Sequence, residues 1–251
     1  MKALAAGLMG VVLSMGAAQA AEIKILTAGA FKPVVSALAP SFEKMTGHKL
    51  IIENDTAGAL TKRIESGEAF DAVFLTPAAL KDLTSKGLTA AEPQANVARV
   101  AIGVAVKEGT AAPDISSTEA FKAALKSAKR IAVIDPKAGG SSGIYLAQLF
   151  ETWGMTQELK SKLVLVPGGL VATRVVNGEA DLAIHQISEI LAVPNAKLVG
   201  PLPSDIQNYT VYRGARSAKS AQPQGAEAFI AAMSSAEAAA ILKDKGMERP
   251  N

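Results

Sequence analysis

The order of apolar runs predicts an α/β fold in two lobes, each a mostly parallel sheet with flanking helices, joined by a two-strand hinge. Three observations carry this. Short apolar runs alternate with stretches of helical period, the pattern of strands separated by crossover helices. Three times a strand ends in a turn of very small residues and a helix follows at once. Two further stretches, Val97–Val106 and Asn208–Arg213, stand where a chain would leave one lobe and return to it.

Ile23–Leu26 reads as the first strand, Thr27-Ala28-Gly29-Ala30 as its turn, and Pro33–Met45 as a helix stopped by Gly47. Lys49–Glu53 is the second strand, and Asp55-Thr56-Ala57-Gly58 opens the helix Ala59–Ser66, stopped by Gly67. Ala72–Leu75, Pro77–Ser85 and Gly87 repeat strand, helix and stop, before the long strand Val97–Val106 with Gly103 inside it. Ser116 and Glu119, three apart, resemble a capping box for a helix through Ala128. Arg130–Ile134 is a strand, and Gly139-Gly140-Ser141-Ser142-Gly143 leads into the helix Ile144–Trp153. A short helix Gln157–Lys160, a strand Leu163–Val166, a helix Leu170–Asn177 and strands Leu182–His185 and Lys197–Val199 follow. Asn208–Arg213 is the return crossing, Arg216–Gln224 a loop, and Ala226–Met233 and Ala236–Lys245 the closing helices. This places residues 21–106 and 207–251 in one lobe and 107–206 in the other.

Met1-Lys2, the small apolar run Ala3–Gly16 and the small-x-small triplet Ala18-Gln19-Ala20 make residues 1–20 an expected secretion signal, too short to span a bilayer with margin. The protein is therefore expected in the periplasm. Its 251 residues contain no cysteine, which excludes disulfides, thiol nucleophiles and thiolate metal sites. Losing Lys2 with the signal lowers the net charge from +3 to +2, and no dense Lys/Arg run occurs, so nucleic acid is not an expected partner. Hydrophobic residues make up 49% and aromatics only 4%, so the cores are expected to be mostly Ala, Val, Ile and Leu.

Each small-residue turn leaves the N–H groups of a helix start uncovered, and such a start attracts anions through those groups and the positive end of its dipole. Between two lobes, near the carboxyl ends of the strands, they would form a cleft for a small anion. Asp71, Asp135, Asp181 and Asp205 show no metal-ligand spacing, so neither metal nor cofactor is expected. Gly139–Gly143 spells G-x-S-x-G, but Asp135-Pro136-Lys137-Ala138 separate it from the strand, unlike a hydrolase nucleophile elbow. It also lacks the Gly-Lys-Ser/Thr ending of a phosphate-binding loop.

Several segments resemble the molybdate-binding periplasmic proteins: Phe42–Leu50, Ala57–Asp71, Ser142–Ala147 and Val175–Asp181, with Ala226–Gly246 alike in character. The resemblance covers essentially the whole chain after residue 20. It implies a type II periplasmic binding protein, two lobes closing on a ligand, serving an ABC importer whose permease lies in the inner membrane; a monomer is expected. Molybdate binders usually place serines in the first two turns. Here the turns carry Ala28-Gly29-Ala30 and Thr56-Ala57, and Gln186, preceded by His185, stands where the family has a tyrosine. Lys32, disfavoured by the dipole at a helix start, suggests a ligand contact.

These departures favour a small organic carboxylate over molybdate. The expected ligand set is Ala28, Gly29, Ala30, Lys32, Thr56, Ala57, Thr76, Ser141, Ser142, Tyr145, Gly168, Gly169, His185 and Gln186. The leading expectation is a solute-binding protein. An exported aconitate isomerase shares the resemblance and supplies the alternative, an enzyme moving a proton within a tricarboxylate, with His185 as base and Lys32 beside it.

Overall fold

The computed structural model describes residues 21–250; the expected secretion signal lies outside them. The first stretch runs β1 (Glu22–Ala28), α1 (Lys32–Thr46), β2 (Lys49–Asp55), α2 (Ala57–Glu65), β3 (Ala72–Leu75), α3 (Pro77–Ser85) and β4 (Thr89–Lys107). The second runs α4 (Thr118–Ser127), β5 (Ile131–Ile134), α5 (Ser141–Thr152), α6 (Thr156–Lys160), β6 (Leu163–Val166), α7 (Thr173–Val176), β7 (Leu182–Gln186), α8 (Ile187–Leu191) and β8 (Ala196–Pro201). The chain closes with β9 (Tyr209–Ser217), α9 (Pro223–Ala232) and α10 (Ala236–Asp244).

The strands lie in the order β2-β1-β3-β9-β4-β7-β5-β6, with β8 also on β4. The two α/β blocks carry the expected parallel cores, β2-β1-β3 and β6-β5-β7. Every antiparallel pair involves β4 or β9, because these crossing strands run against the strands they join. The sheet is thus mixed as a whole and parallel within each block.

β4 belongs to both blocks. Thr89–Ala101 pairs with β9, and from Ile102 onward the strand pairs with β7 and β8. Gln207 clamps this changeover. Its Oε1 accepts from Ile102 N at 2.9 Å, and its Nε2 donates to Ile102 O and Leu202 O at 2.9 and 3.2 Å.

Three apolar clusters support the sheet. The first packs Ile23, Ile25, Leu26 and Val73 against α1, α3, α9 and α10, and holds most of the few aromatics, with Phe42 and Phe229 edge to face at 5.0 Å. The other two cover the faces of β5 and β7, one around Phe121, Phe150 and Ile184, the other almost wholly Ala, Val and Ile. The aliphatic core expected from composition holds best in that last layer.

Several boundaries differ from expectation for local reasons. β4 begins at Thr89 because its polar first half pairs with β9, a partnership that leaves no apolar alternation in the sequence. Ser117 rather than Ser116 caps α4, accepting from Ala120 N at 3.2 Å, while Ser116 N is held by Asp114. α5 starts at Ser141, inside the small-residue turn. Gly143 lies within that helix, where a Cβ would come 2.3 Å from the Ile134 carbonyl, so glycine is what lets α5 sit on the end of β5. The five-residue α8 is too short for periodicity to reveal.

Candidate functional site

The carboxyl ends of the parallel strands meet at a cavity of about 370 Å³. One wall comes from Ala28, Gly29 and Ala30 after β1, Asn54, Asp55, Thr56 and Ala57 after β2, and Tyr212 on β9. The other comes from Ile134, Gly140, Ser141, Gly168 and Gly169 after β5 and β6, and His185, Gln186 and Glu189 at β7 and α8. The three small-residue turns therefore do face one space, as ligands require in open α/β sheets.

Their roles differ. Gly29–Phe31 forms a 3-10 turn ahead of α1, with no side-chain cap. α5 is likewise uncapped, since Gly140 has no side chain to offer. The start of α2 is already engaged: Thr56 accepts from Ala59 N at 3.1 Å and donates to the Ala138 carbonyl, while Gly58 N donates to Gly139 O at 3.1 Å. The second turn thus bridges the two blocks, and its hydroxyl is spent there. A further bridge runs from Ser188 Oγ to Ala30 O at 2.7 Å.

Ten of the expected ligand residues line the cavity: Ala28, Gly29, Ala30, Thr56, Ala57, Ser141, Gly168, Gly169, His185 and Gln186. Lys32, Thr76, Ser142 and Tyr145 do not. The 3-10 turn adds a step before α1, which carries the exposed Lys32 away from the mouth of the strand; its expected charge is absent from the lining. Thr76 caps α3, Tyr145 donates its hydroxyl to Ile206 O at 2.6 Å, and Ser142 is buried with its hydroxyl unpartnered. No Lys or Arg lines the cavity among the described residues.

The lining also includes Asp55 and Gly140, members of the small-residue turns outside the expected ligand set, and adds four groups that sequence reasoning missed: Asn54, Ile134, Glu189 and Tyr212. Thr210 and Tyr212 lie two apart on β9 and so point to one face, which the alternation of that segment contained. Gln186 Nε2 donates to Ser141 Oγ at 2.6 Å, and Thr210 shares a 3.1 Å hydrogen bond with the same hydroxyl. Tyr212 stacks on Phe31 with centroids 5.6 Å apart. Burial, and after it the charge of Glu189, keeps the Tyr212 phenol protonated far above its ordinary range.

His185 and Glu189 form the chemical centre of this wall. Nε2 of His185 lies 3.2 Å from Oε2 of Glu189, and their side chains are only 3% and 8% exposed. Burial lowers His185 to about 3 and raises Glu189 to about 8. Both groups are thus neutral near pH 7, with the Glu189 carboxyl able to donate to the imidazole. His185 Nδ1 is buried without a partner. Gly29 makes room for this pair, since a Cβ there would stand 2.8 Å from Glu189 Oε1.

The family model described as bacterial extracellular solute-binding protein matches residues 23–248. An aconitate isomerase from a Pseudomonas species is 32% identical over 252 aligned positions, spanning 98% of this chain and 95% of that protein. The molybdate-binding protein ModA of Azotobacter vinelandii is 30% identical over 206 positions, 79% of this chain and 75% of that protein. Among solved structures, the periplasmic molybdate-binding protein of Azotobacter vinelandii superposes with a TM-score of 0.78 at 22% identity, covering 91% of this chain and 100% of that one.

Proposed function

This chain belongs to the bacterial extracellular solute-binding protein family, and from that premise we propose that its cavity takes a small organic polycarboxylate and isomerises it by proton transfer, as an aconitate isomerase does. The observation that carries this reading is the buried His185–Glu189 pair in the cavity wall. A site that only holds a tetrahedral oxyanion needs N–H and hydroxyl donors. It does not need a protonatable carboxyl backed by an imidazole, which adds a proton-transfer group near neutrality. The full-length similarity to an aconitate isomerase supports the same reading.

In this proposal the backbone of the uncapped 3-10 turn ahead of α1, the uncapped start of α5, the Gln186 amide and the Tyr212 hydroxyl hold substrate carboxylates. The bridging contacts Gly58–Gly139 and Ser188–Ala30 keep the two walls together and exclude water from the reacting carbon. The lobes are residues 21–106 with 207–251 and residues 107–206, and the protein works as a monomer in the periplasm after losing residues 1–20. Incubating it separately with cis- and trans-aconitate and resolving the isomers tests the activity. Absence of interconversion ends this reading.

A second reading rests on the family itself: stoichiometric binding of an organic carboxylate and its delivery to an ABC importer in the inner membrane. Calorimetry against molybdate, sulfate, phosphate and di- and tricarboxylates tests it. Binding without turnover would favour it, and a preference for molybdate would remove the organic-carboxylate assignment from both readings.

A further inference from the structure

We propose that Glu189, not His185, removes and returns the carbon-bound proton of the substrate, while His185 stands behind it and holds the carboxyl's own proton during the reaction. This rests on the isomerase reading and assigns its machinery.

The geometry separates the two groups. Glu189 is the more exposed of the pair, and Oε1, the oxygen not facing the imidazole, lies against Gly29 of the opposite wall. The His185 ring is sealed: Nε2 is occupied by Glu189, and Nδ1 is buried with essentially no exposed surface. A base must come within hydrogen-bond reach of the proton it abstracts. Glu189 satisfies this from the wall, whereas an approach to His185 is blocked by Glu189 itself.

The proton count also fits. At rest the carboxyl is protonated and the imidazole neutral. Transfer from Oε2 to Nε2 leaves a carboxylate and an imidazolium with no change in total charge, so no exchange with solvent is needed. The carboxylate then takes a proton from the CH₂ group of the aconitate. The electrons of that C–H bond form a new C=C bond, and the pair of the old double bond moves to the far carbon. Glu189 delivers the same proton to that carbon, and the imidazolium returns its proton to Glu189. The imidazolium–carboxylate pair places two charges in a buried site, so the neutral pair is favoured and the resting state is restored. The other titratable groups lining the cavity are Asp55 and Tyr212.

The test compares wild type, Glu189→Gln and His185→Gln. Glu189→Gln keeps shape and hydrogen bonding, so trans-aconitate should still bind by calorimetry, while kcat falls by about a hundredfold to ten-thousandfold. His185→Gln removes the proton store but not the base. Its turnover should be low near neutrality and recover as pH rises and Glu189 ionises into solvent, with KM little changed. Glu189→Gln retaining more than a tenth of wild-type kcat would overturn the assignment. So would a His185→Gln enzyme that stays inactive across the whole pH range. A wild-type protein that binds trans-aconitate without interconverting it would instead overturn the isomerase reading on which the assignment rests.

Discussion

Gly58 and Gly139 meet backbone to backbone beside the cavity-lining residues Ala57 and Gly140. The N–H of Gly58 donates to the carbonyl of Gly139 at 3.1 Å, and a Cβ on either glycine would come within 2.8 or 2.6 Å of the other's Cα. One comes from the start of α2 and the other from the turn before α5, so the contact holds the two walls against each other only while neither residue carries a side chain.

Gly58→Ala is therefore expected to weaken both the contact and ligand binding. The added methyl meets the Gly139 backbone, which offsets any gain in helix propensity of up to about 1 kcal/mol, so the Tm should hold or fall. Affinity for trans-aconitate should fall about tenfold, the scale of one hydrogen bond plus a local clash. Gly139→Ala should lose more, because its φ of +77° is also unfavourable for alanine. Calorimetry and thermal melts of both variants check this, and unchanged affinity in both would show that the contact plays no part in the bound state.

Stability should form a plateau in pH. His185 is lowered from 6.5 to about 3, so its contribution is present above 6.5 and is lost as pH falls toward 3. Glu189 is raised from 4.5 to about 8, so its contribution is present below 4.5 and is lost as pH rises toward 8. Between about 4.5 and 6.5 the two slopes oppose each other, and Tm should fall on either side. Glu189→Gln should flatten the alkaline limb and extend the acid slope through the former plateau up to about 6.5, which melts at stepped pH will show.

Gly143→Ala should destabilise the protein by about 1–3 kcal/mol in urea unfolding, because the added methyl meets the rigid Ile134 carbonyl at 2.3 Å. Gly225→Ala meets the end of the Ile23 side chain at 2.5 Å and should cost less, since that atom can turn aside. Equal effects would contradict the role given to Gly143 in seating α5.

Tyr212→Phe keeps the ring stacked on Phe31 and removes only the hydroxyl beside Ser141. The apo fold should change by about 1 kcal/mol or less. Affinity for polycarboxylates should drop about fivefold to tenfold, the value of one hydrogen bond to a charged partner, with no comparable change for a ligand lacking the second carboxylate.

Much of the fold was legible because its signals are local. Ala72–Leu75, Pro77–Ser85 and Leu163–Val166 are seated as their composition and glycine stops indicate. The polar half of β4 and the end of β9 were not, because each is a strand only through the other. The small-residue turns announced the cavity, yet the same letters could not tell the free starts before α1 and α5 from the engaged start of α2. Lys32 misled for a similar reason: a 3-10 turn precedes it and leaves it exposed on the first turn of α1, off the cavity lining. Glu189 was hidden in a five-residue helix, where a glutamate reads as solvated surface until tertiary packing buries it.

The position of β9 between β3 and β4 has a consequence in time. β3 can pair with β1 as soon as both exist, but its other edge waits for a strand some 130 residues later in the chain. Until Tyr209–Ser217 is available, the first block keeps an open strand edge beside an unfinished apolar layer, the arrangement most prone to wrong pairing. Non-local closure of this kind slows folding. A chain delivered from its amino end thus cannot complete its first block until nearly the whole sequence has emerged, and the last strand inserted both seals that core and brings Tyr212 to the cavity.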